Sequence, residues 1–306
     1  MQSACSAIII ANPTSGIYAF HARQLQETVT FLRNAGWQVE LKLTGAAGDA
    51  QRLAREAVDQ KLDVVIAAGG DGTINEIIQE LAGSETALGV LPIGTVNIWA
   101  RETHIPLNEH GAREVLLQGR TRRIDLGRVN DRYFLLMVGI GLDGEVIRAV
   151  EKKTPKRLGV LGYMLVGTWF GLGYPNFRVY LGLNGLIAKR SVVQVIIGNT
   201  QLYAGAIKYT WQAKCDDGLL DVCIVRRRGP LGRIVVMFDF LFRRKQRHQW
   251  VSYEQCTSVE IRTRKPVATQ VDGEPLGYTP VTLTIAPQVL KVIVPQKVPG
   301  ELFSKE

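Results

Sequence analysis

Short apolar runs alternate with amphipathic stretches from the start of the chain to about residue 123. The runs are AIIIAN, WQVELKL, DVVIAAGG and ALGVLPIG, and stretches with helical periodicity such as HARQLQETVTFLRNAG and DAQRLAREAVDQ lie between them. Strands that alternate with helices are typical of a parallel sheet with helices on both faces. We therefore predict an α/β domain at residues 1–123.

The pattern changes after about residue 124. Strand-like segments such as SVVQVIIGN, GLLDVCIVRR and VTLTIA follow one another, with turn residues between them. Such a succession is typical of antiparallel sheet. We predict a mainly antiparallel β domain at residues 124–296, and we leave the polar residues 297–306 as a tail without a predicted position.

Three loops that contain glycine follow apolar runs of the first domain. They have the sequences NPTSG, GGDGT and PIGTVN. Because ligands of open α/β sheets bind beyond the carboxyl ends of the strands, we expect the three loops to line one crevice.

The GGDGTINE loop has features of a phosphate-binding site. Its three glycines permit positive φ and leave room for backbone N–H groups to approach a polyphosphate at a helix N-terminus. Thr73 and Glu76 have the spacing of a capping box. A tight strand-to-helix turn is the alternative explanation. Asp71 favours Mg-nucleotide chemistry, because a carboxylate repels phosphate unless it orients a metal ion, a water or a hydroxyl group.

The charge and the cysteines bear on partners and location. A formal net charge of +9 predicts an anionic partner, either nucleic acid, an acidic membrane surface or a phosphorylated ligand. The basic residues lack a helix-turn-helix, zinc or aromatic-platform signature, so nucleic acid is not expected. The four cysteines are scattered, and the N-terminus lacks the pattern of a signal peptide. We expect a cytoplasmic protein.

Two apolar segments each allow two interpretations. Residues 158–177 carry no charge and approach the length of a membrane span, but five glycines and Pro175 favour a helix buried in, or capping, the second domain. Residues 230–247 combine an apolar helical face with a basic end. This second segment is either a core helix or a helix that approaches an anionic bilayer.

The motifs follow one another in an order that resembles the diacylglycerol kinase catalytic family, which includes bacterial lipid kinases and sphingosine kinases. The ordered set is NPTSG, T-x-x-x-GDA, GGDGTINE, PIGTVN-x-x-AR, DDGLLDV and VDGE. GGDGT alone is shared with NAD kinases and resembles a loop of phosphofructokinases, so the order of the motifs carries the resemblance. It implies a first domain like that of NAD kinases and phosphofructokinases, with ATP as phosphoryl donor.

The resemblance also assigns residues to the ATP site. Many family members have Asn-Asp where this chain has Asn97 and Ile98, so one polar contact of that loop is absent or supplied elsewhere. The implied ATP-binding residues are Asn12, Pro13, Thr14, Ser15, Gly16, Thr44, Gly69, Gly70, Asp71, Gly72, Thr73, Asn75, Glu76 and Thr95.

Two motifs of the second domain carry the remaining candidates. Asp272 and Gly273 form the dipeptide of a tight hairpin turn, after which Glu274 is, by its pattern alone, an ordinary loop acid. The general base of the family lies in this D-G-E motif, so the resemblance makes Glu274 the acceptor of the hydroxyl proton, with Asp71 as the other catalytic acid. In AKCDDGLLDV, which alone indicates only a turn, the resemblance implies a structural Mg²⁺. Its ligands would be the Asp217 side chain and the backbone carbonyls of Lys214 and Leu219.

The sequence therefore predicts an ATP- and Mg²⁺-dependent lipid kinase that phosphorylates a hydroxyl of a diacylglycerol-like or sphingoid lipid. The lipid acceptor would be met at an anionic membrane surface, with which the protein associates peripherally. The alternatives are an NAD kinase-like phosphotransferase and a catalytically silent lipid- or nucleotide-binding module. The oligomeric state stays open, a homodimer included.

Overall fold

A computed structural model describes residues 4–13, 18–153, 173–203, 207–226 and 250–304. The chain divides into two compact units, the first formed by Met1–Leu126 and Pro287–Glu306 and the second by Gly127–Ala286. These bounds differ from the sequence-based boundaries after residues 123 and 296. The reason is a long strand, Val281–Val294, whose second half belongs to the first unit although its pattern continues that of the β-rich region.

The first unit is built on a parallel sheet, as the alternating pattern predicts. Helix α2 shows why: its buried residues Ala50, Leu53, Ala54 and Ala57 recur at helical spacing and form one apolar face. The elements are β1 (Ser6–Ala11), α1 (Tyr18–Asn34), β2 (Gln38–Leu43), α2 (Asp49–Asp59), β3 (Val64–Gly69), α3 (Asp71–Leu81), β4 (Ala87–Pro92), α4 (Ile98–Glu102) and α5 (Glu109–Gln118).

The strands of this sheet end at the same level. Along β1, Ala11 pairs with Leu43 of β2 and with Ala68 of β3, which in turn pairs with Leu91 of β4. The final strand of the chain, β17, lies parallel to β4 on its other side. The carboxyl ends of β1, β2, β3 and β4 therefore lie along one edge of the sheet.

The second unit is mainly antiparallel, as predicted. In β14 the buried residues Val259 and Ile261 alternate with more exposed ones, which is the pattern of a strand with one face in the core. The elements are β5 (Arg120–Val129, shared with the first unit), β6 (Arg132–Phe134), β7 (Met137–Gly141), α6 (Leu142–Lys153), β8 (Phe177–Leu183), β9 (Leu186–Gly198), β10 (Leu202–Tyr203), β11 (Ile207–Lys208), β12 (Leu220–Arg226), β13 (Val251–Cys256), β14 (Ser258–Thr263), β15 (Ala268–Val271), β16 (Glu274–Tyr278) and β17 (Val281–Val294).

The end of the chain packs on the first unit. Leu302 and Phe303 are buried, and the guanidinium group of Arg122 lies 4.9 Å above the centre of the Phe303 ring. Residues 297–304 thus have a position that their polar sequence did not predict, because two apolar side chains and a cation–π contact hold them.

Residues 230–247 and all but the last few of residues 158–177 lie outside the described parts of the chain. Within the described parts, every helix is too short or too polar to cross a membrane.

Candidate functional site

Several of the predicted ATP-binding residues lie at the edge where the parallel strands end. Backbone hydrogen bonds hold their loops together: Asn12 N–H donates to the carbonyl of Ala68 (3.1 Å), and Thr44 N–H donates to the carbonyl of Ala11 (3.0 Å). The structure therefore brings Asn12, Thr44 and the GGDGT loop to one edge. Pro13 directly follows Asn12, whereas Thr14, Ser15 and Gly16 lie outside the described residues.

Two of the glycines permit close contact between neighbouring segments. A Cβ atom on Gly69 would lie 2.7 Å from the Cβ of Thr73, and a Cβ atom on Gly94 would collide with the Cα of Gly70. The loops after β3 and β4 consequently touch backbone to backbone. In α3 the N–H of Thr73 already donates to the Gly70 carbonyl at 3.0 Å, so only the N–H groups before Thr73 precede the ladder of the helix. The helix dipole makes this end attractive to anions. This edge can therefore receive a phosphate group.

The predicted capping box is wrong. The residue that caps α3 is Gly70, in extended conformation, whereas Thr73 lies inside the first turn and is buried. The carboxylate of Glu76 instead accepts the N–H groups of Gly48 (3.0 Å) and Ala50 (3.2 Å) at the start of α2. Glu76 therefore holds the GDA loop, through partners distant in sequence that a local pattern cannot reveal.

Asp71 joins the loops after β3 and β4. Its carboxylate accepts the backbone N–H groups of Ile98 (3.0 Å) and Trp99 (3.2 Å), and so caps α4. Burial raises the pKa of Asp71, while these two hydrogen bonds and the charge of Arg101 act in the opposite direction. Asp71 thus fixes the position of the PIGTVN loop, a contact that sequence reasoning did not foresee.

Asn97 closes the PIGTVN loop on itself. It adopts a left-handed conformation (φ 53°), and its side-chain oxygen accepts the N–H of Gly94 at 3.1 Å. Its amide nitrogen donates to the carbonyls of Pro92 (3.0 Å) and Gly94 (2.8 Å). With Asp71 holding the Ile98 N–H, the loop is well braced although Ile98 has no polar side chain. Thr95 lies exposed within the loop.

Asn75 has a buried hydrogen-bond donor without a partner in the described structure. Asn75 is 1% exposed, and its side-chain nitrogen makes no hydrogen bond within the described residues. Its side-chain oxygen accepts a hydrogen bond from the Gln79 amide at 3.3 Å. Buried polar atoms are normally bonded. An unpaired donor in α3 fits the prediction that this helix helps to bind a polar ligand.

The Asp272–Gly273 turn is the predicted tight hairpin. It joins the antiparallel strands β15 and β16, and both residues have positive φ (46° and 86°), as a type I′ turn requires. The Asp272 carboxylate accepts three successive backbone N–H groups, those of Leu135 (2.8 Å), Leu136 (3.0 Å) and Met137 (2.8 Å). Burial raises the pKa of Asp272 to about 6, against the opposing effect of these bonds.

Glu274 follows this turn as the first residue of β16. Its side chain is 44% exposed and forms an ion pair with Arg132 of β6. Glu274 is therefore an oriented side chain at the start of a strand. Sequence reasoning missed Arg132, because it lies 142 positions from Glu274 and no local sequence pattern links the two residues.

A buried acid close to this hairpin was also missed. Asp143 lies in the first turn of α6, where its carboxylate accepts hydrogen bonds from the Tyr203 hydroxyl and from the Gln270 amide (2.6 Å for the latter). Burial raises the pKa of Asp143 to about 7. The sequence signal was slight, since LDGEV resembles any helix start that carries acids.

The turn predicted to bind Mg²⁺ contains Asp217, and Asp221 follows it in strand β12. Asp217 accepts the N–H of Leu219 at 3.0 Å. Asp221 is buried, and one of its oxygens bonds Tyr253 (2.7 Å) while the other has no partner within the described residues. Burial first, and the charge of Asp217 next, raise the pKa of Asp221 to about 6.

These oxygens fit a hard cation, because an unpaired buried carboxylate oxygen beside a second carboxylate lacks a compensating charge. In the described parts of the chain, His, Cys, Asp and Glu side chains form no group of three or more that could hold a metal ion. The predicted set needs only one carboxylate, with carbonyls of Lys214 and Leu219, so it stays a prediction.

Two known protein-family models match this chain, one in each half. The family model of the diacylglycerol kinase catalytic domain matches residues 6–129, and that of the YegS C-terminal NAD kinase beta sandwich-like domain matches residues 136–294. A diacylglycerol kinase of Staphylococcus carnosus (strain TM300) is 31% identical over 296 residues, which cover 95% of this chain and 96% of that protein. A diacylglycerol kinase of Staphylococcus aureus (strain bovine RF122 / ET3-1) is 31% identical over 299 residues, covering 96% and 94%.

Solved structures share the fold. A diacylglycerol kinase from Bacillus anthracis (strain Sterne) superposes with a TM-score of 0.77 at 22% identity, over 98% of this chain and 100% of that chain. A candidate diacylglycerol kinase from the same strain superposes with a TM-score of 0.83 at 25% identity, over 98% and 99%. The order of a parallel α/β unit and an antiparallel β unit is thus common to these proteins.

Proposed function

This chain belongs to the diacylglycerol kinase family, and from that membership we propose that it transfers the γ-phosphoryl group of ATP to a hydroxyl of a diacylglycerol-like or sphingoid lipid. The observation that carries the proposal is the match of relatives named diacylglycerol kinase over 95% of the chain. Membership makes the protein a lipid kinase, and the donor, the metal ion and the place of action are our proposals.

ATP is the phosphoryl donor that a kinase family implies, and the edge of the parallel sheet supports this choice. The N-terminus of α3 and the glycine backbone around Gly70 offer N–H groups to phosphate oxygens. Asp71 keeps the loop after β4, with the exposed Thr95, beside that helix end. ATP supplies the γ-phosphoryl group, and the protein contributes position and charge stabilisation.

Glu274 is the proposed general base that accepts the proton of the lipid hydroxyl. It is accessible, and its ion pair with Arg132 restrains its orientation. Phosphoryl transfer proceeds through a loose transition state in which positioning matters more than strong covalent participation, so an oriented carboxylate is suited to this role.

Mg²⁺ is proposed at the turn that contains Asp217. The support is the chemistry of the turn: Asp217 stands beside Asp221, whose second oxygen is buried without a partner in the described structure. A divalent ion bound by the Asp217 carboxylate and the backbone carbonyls of Lys214 and Leu219 would offset the charge of both acids. This ion would stabilise the second unit and take no part in the transfer.

Action at an anionic membrane surface is proposed from the hairpin of β8 and β9. We call residues 180–190 the β8–β9 tip. Leu186 and Ile187 are 80% and 65% exposed at its end, and Tyr180 is 43% exposed. Lys189 and Arg190 follow after Ala188 and are exposed as well. Apolar side chains next to basic ones suit an acidic bilayer, because each basic residue near the surface adds about 1 kcal/mol to the free energy of membrane binding.

The proposed reaction is tested by incubating the protein with radiolabelled ATP and a whole lipid extract, followed by identification of the labelled product. We expect label in a lipid phosphate that carries a diacylglycerol or sphingoid backbone. Label released only as inorganic phosphate, with none in the lipid phase, would count against a lipid kinase that uses ATP.

A further inference from the structure

A chain of buried hydrogen bonds ends at the turn that presents Glu274. The Tyr203 hydroxyl and the Gln270 amide nitrogen both donate to the Asp143 carboxylate, the latter at 2.6 Å. The amide oxygen of Gln270 accepts the backbone N–H of Gly273 at 2.9 Å. Gly273 directly precedes Glu274, so the chain connects α6 with the hairpin turn.

The orientation of the Gln270 amide is fixed by its two partners. The Gly273 N–H can only donate, so it requires the oxygen side of the amide, and the nitrogen side then donates to the Asp143 carboxylate. A rotated amide would set two donors against each other at Gly273. Asp143 therefore holds the other end of the amide whose oxygen binds the turn.

The surroundings leave room for these two side chains and little freedom for them to move. Gln270 is fully buried, and Asp143 is nearly so. Gly139 of β7 pairs with Gln270, and a Cβ atom there would collide with the Asp143 carboxylate and lie 2.8 Å from the Gln270 amide nitrogen. The missing side chain of Gly139 thus creates the space that the pair fills.

We propose that Gln270, held by Asp143, is a positioning residue that fixes the Asp272–Gly273 turn and thereby orients Glu274 toward the acceptor hydroxyl. The inference rests on the proposed function, since it gives Glu274 the role of general base. It adds to the two other restraints on the turn, which are the bonds of Asp272 to residues 135–137 and the Arg132 ion pair.

The first test uses Gln270→Met, which keeps an unbranched side chain and removes both polar atoms. We expect kcat to fall by about 10- to 100-fold with KM for ATP changed less than twofold, because the base is displaced while the nucleotide site is intact. The control is Thr269→Val, since Thr269 is an equally buried neighbour whose hydroxyl has no partner in the described structure. Its kcat should stay within twofold of wild type. An unchanged kcat in Gln270→Met would overturn the proposal.

A double-mutant cycle tests whether Gln270 acts through Glu274. In a Glu274→Gln background the base is absent, so adding Gln270→Met should change kcat less than twofold. Full additivity of the two losses would show that Gln270 acts by another route and would overturn the proposal.

Hydrogen exchange at Gly273 separates this inference from the proposed function. We expect Gln270→Met to speed exchange of the Gly273 amide at least tenfold, and Thr269→Val to leave it unchanged. If Gln270→Met folds poorly, Gln270→Leu is used in its place, and we expect the same increase in Gly273 amide exchange. Wild-type activity in Glu274→Gln would overturn the general base and the positioning role with it. If Glu274→Gln is inactive but Gln270→Met leaves the exchange of the Gly273 amide unchanged, the positioning role alone is overturned.

Discussion

At the scale of single residues, the two acids assigned to catalysis have different surroundings. The Asp71 carboxylate accepts two backbone N–H groups and so links the loops after β3 and β4. Glu274, in contrast, is accessible and paired with Arg132. We therefore expect substitution of Asp71 to affect stability and activity together, and substitution of Glu274 to affect mainly the proposed chemical step.

We expect Glu274→Gln to lower kcat by about 10²–10⁴ with KM for ATP nearly unchanged, because glutamine keeps the size of the side chain and cannot accept the proton. The matched control is Glu260→Gln, since Glu260 also forms an ion pair with an arginine in the second unit, Arg262. Steady-state kinetics of both variants check this. A decrease in kcat of less than threefold in Glu274→Gln would mean that Glu274 forms an ordinary surface ion pair and is not the general base.

Asp71→Ala should lower the free energy of unfolding by about 1–3 kcal/mol, because the N–H groups of Ile98 and Trp99 lose their acceptor. It should also lower kcat/KM for ATP, since the loop that carries Thr95 is released. Asp63→Ala is the control: Asp63 likewise accepts a backbone N–H, that of Ser6 at 2.7 Å, but at the start of the strands. If both variants lose stability and both keep activity, Asp71 is structural alone.

The sequence could predict residues that belong to local motifs and could not predict their distant partners. The Asp272–Gly273 turn was predictable because a two-residue loop of this composition has few conformations. The partners Arg132 and Gln270 were not, since folding rather than spacing brings them to that turn. Thr73 and Glu76 show the converse, because a motif with the right spacing formed different bonds.

At the scale of elements, the β8–β9 tip and the turn around Asp217 carry the two proposals that concern partners. The parallel sheet itself was predictable, because buried strands such as β3 are apolar throughout and alternate with amphipathic helices. The addition of β17 to this sheet was not predictable, since its sequence reads like the antiparallel strands before it.

We expect replacement of Leu186 and Ile187 by serine to reduce binding to vesicles that contain phosphatidylglycerol by at least fivefold, because the tip loses its exposed apolar side chains. Vesicle sedimentation measures this. Leu107→Ser, which alters another exposed leucine, is the control. Activity on a short-chain lipid dispersed in detergent should stay unchanged in the double variant. Undiminished vesicle binding would contradict the assignment of the tip.

Asp217→Ala should abolish the rise in melting temperature that Mg²⁺ gives the wild type, because it removes the one side-chain ligand of the proposed ion. Asp131→Asn removes a fully exposed carboxylate of the same unit and should leave the Mg²⁺ effect intact. Thermal unfolding with and without Mg²⁺ decides the matter. Equal stabilisation of Asp217→Ala and wild type would place the ion elsewhere.

At the scale of the whole molecule, several buried acids link stability to pH. The pKa of Asp143 is raised to about 7 from an ordinary value of 3.8, and that of Asp272 is raised to about 6. The folded state therefore binds more protons than the unfolded state between about pH 4 and pH 7. Stability contributed by these groups is fully present below pH 4 and is lost as the pH rises through the folded-state values.

We expect Asp143→Asn to flatten the decline in the free energy of unfolding between about pH 4 and pH 7, because a side chain that does not titrate replaces one that must ionise in the core. The slope due to one group is at most about 1.4 kcal/mol per pH unit. Urea unfolding at each pH measures it, with Asp131→Asn as the control for an exposed acid. Parallel curves for Asp143→Asn and wild type would show that Asp143 is not the titrating group.

The central claim is transfer of phosphate from ATP to a lipid hydroxyl, and a competition between acceptors tests it most directly. Dioleoylglycerol in mixed micelles and NAD are offered together to the protein with radiolabelled ATP and Mg²⁺, and label is measured in the lipid phase and in the dinucleotide. We predict label in the lipid phase, reduced at least about 100-fold in Glu274→Gln and retained in Glu260→Gln. Label in the dinucleotide with none in the lipid would contradict the account.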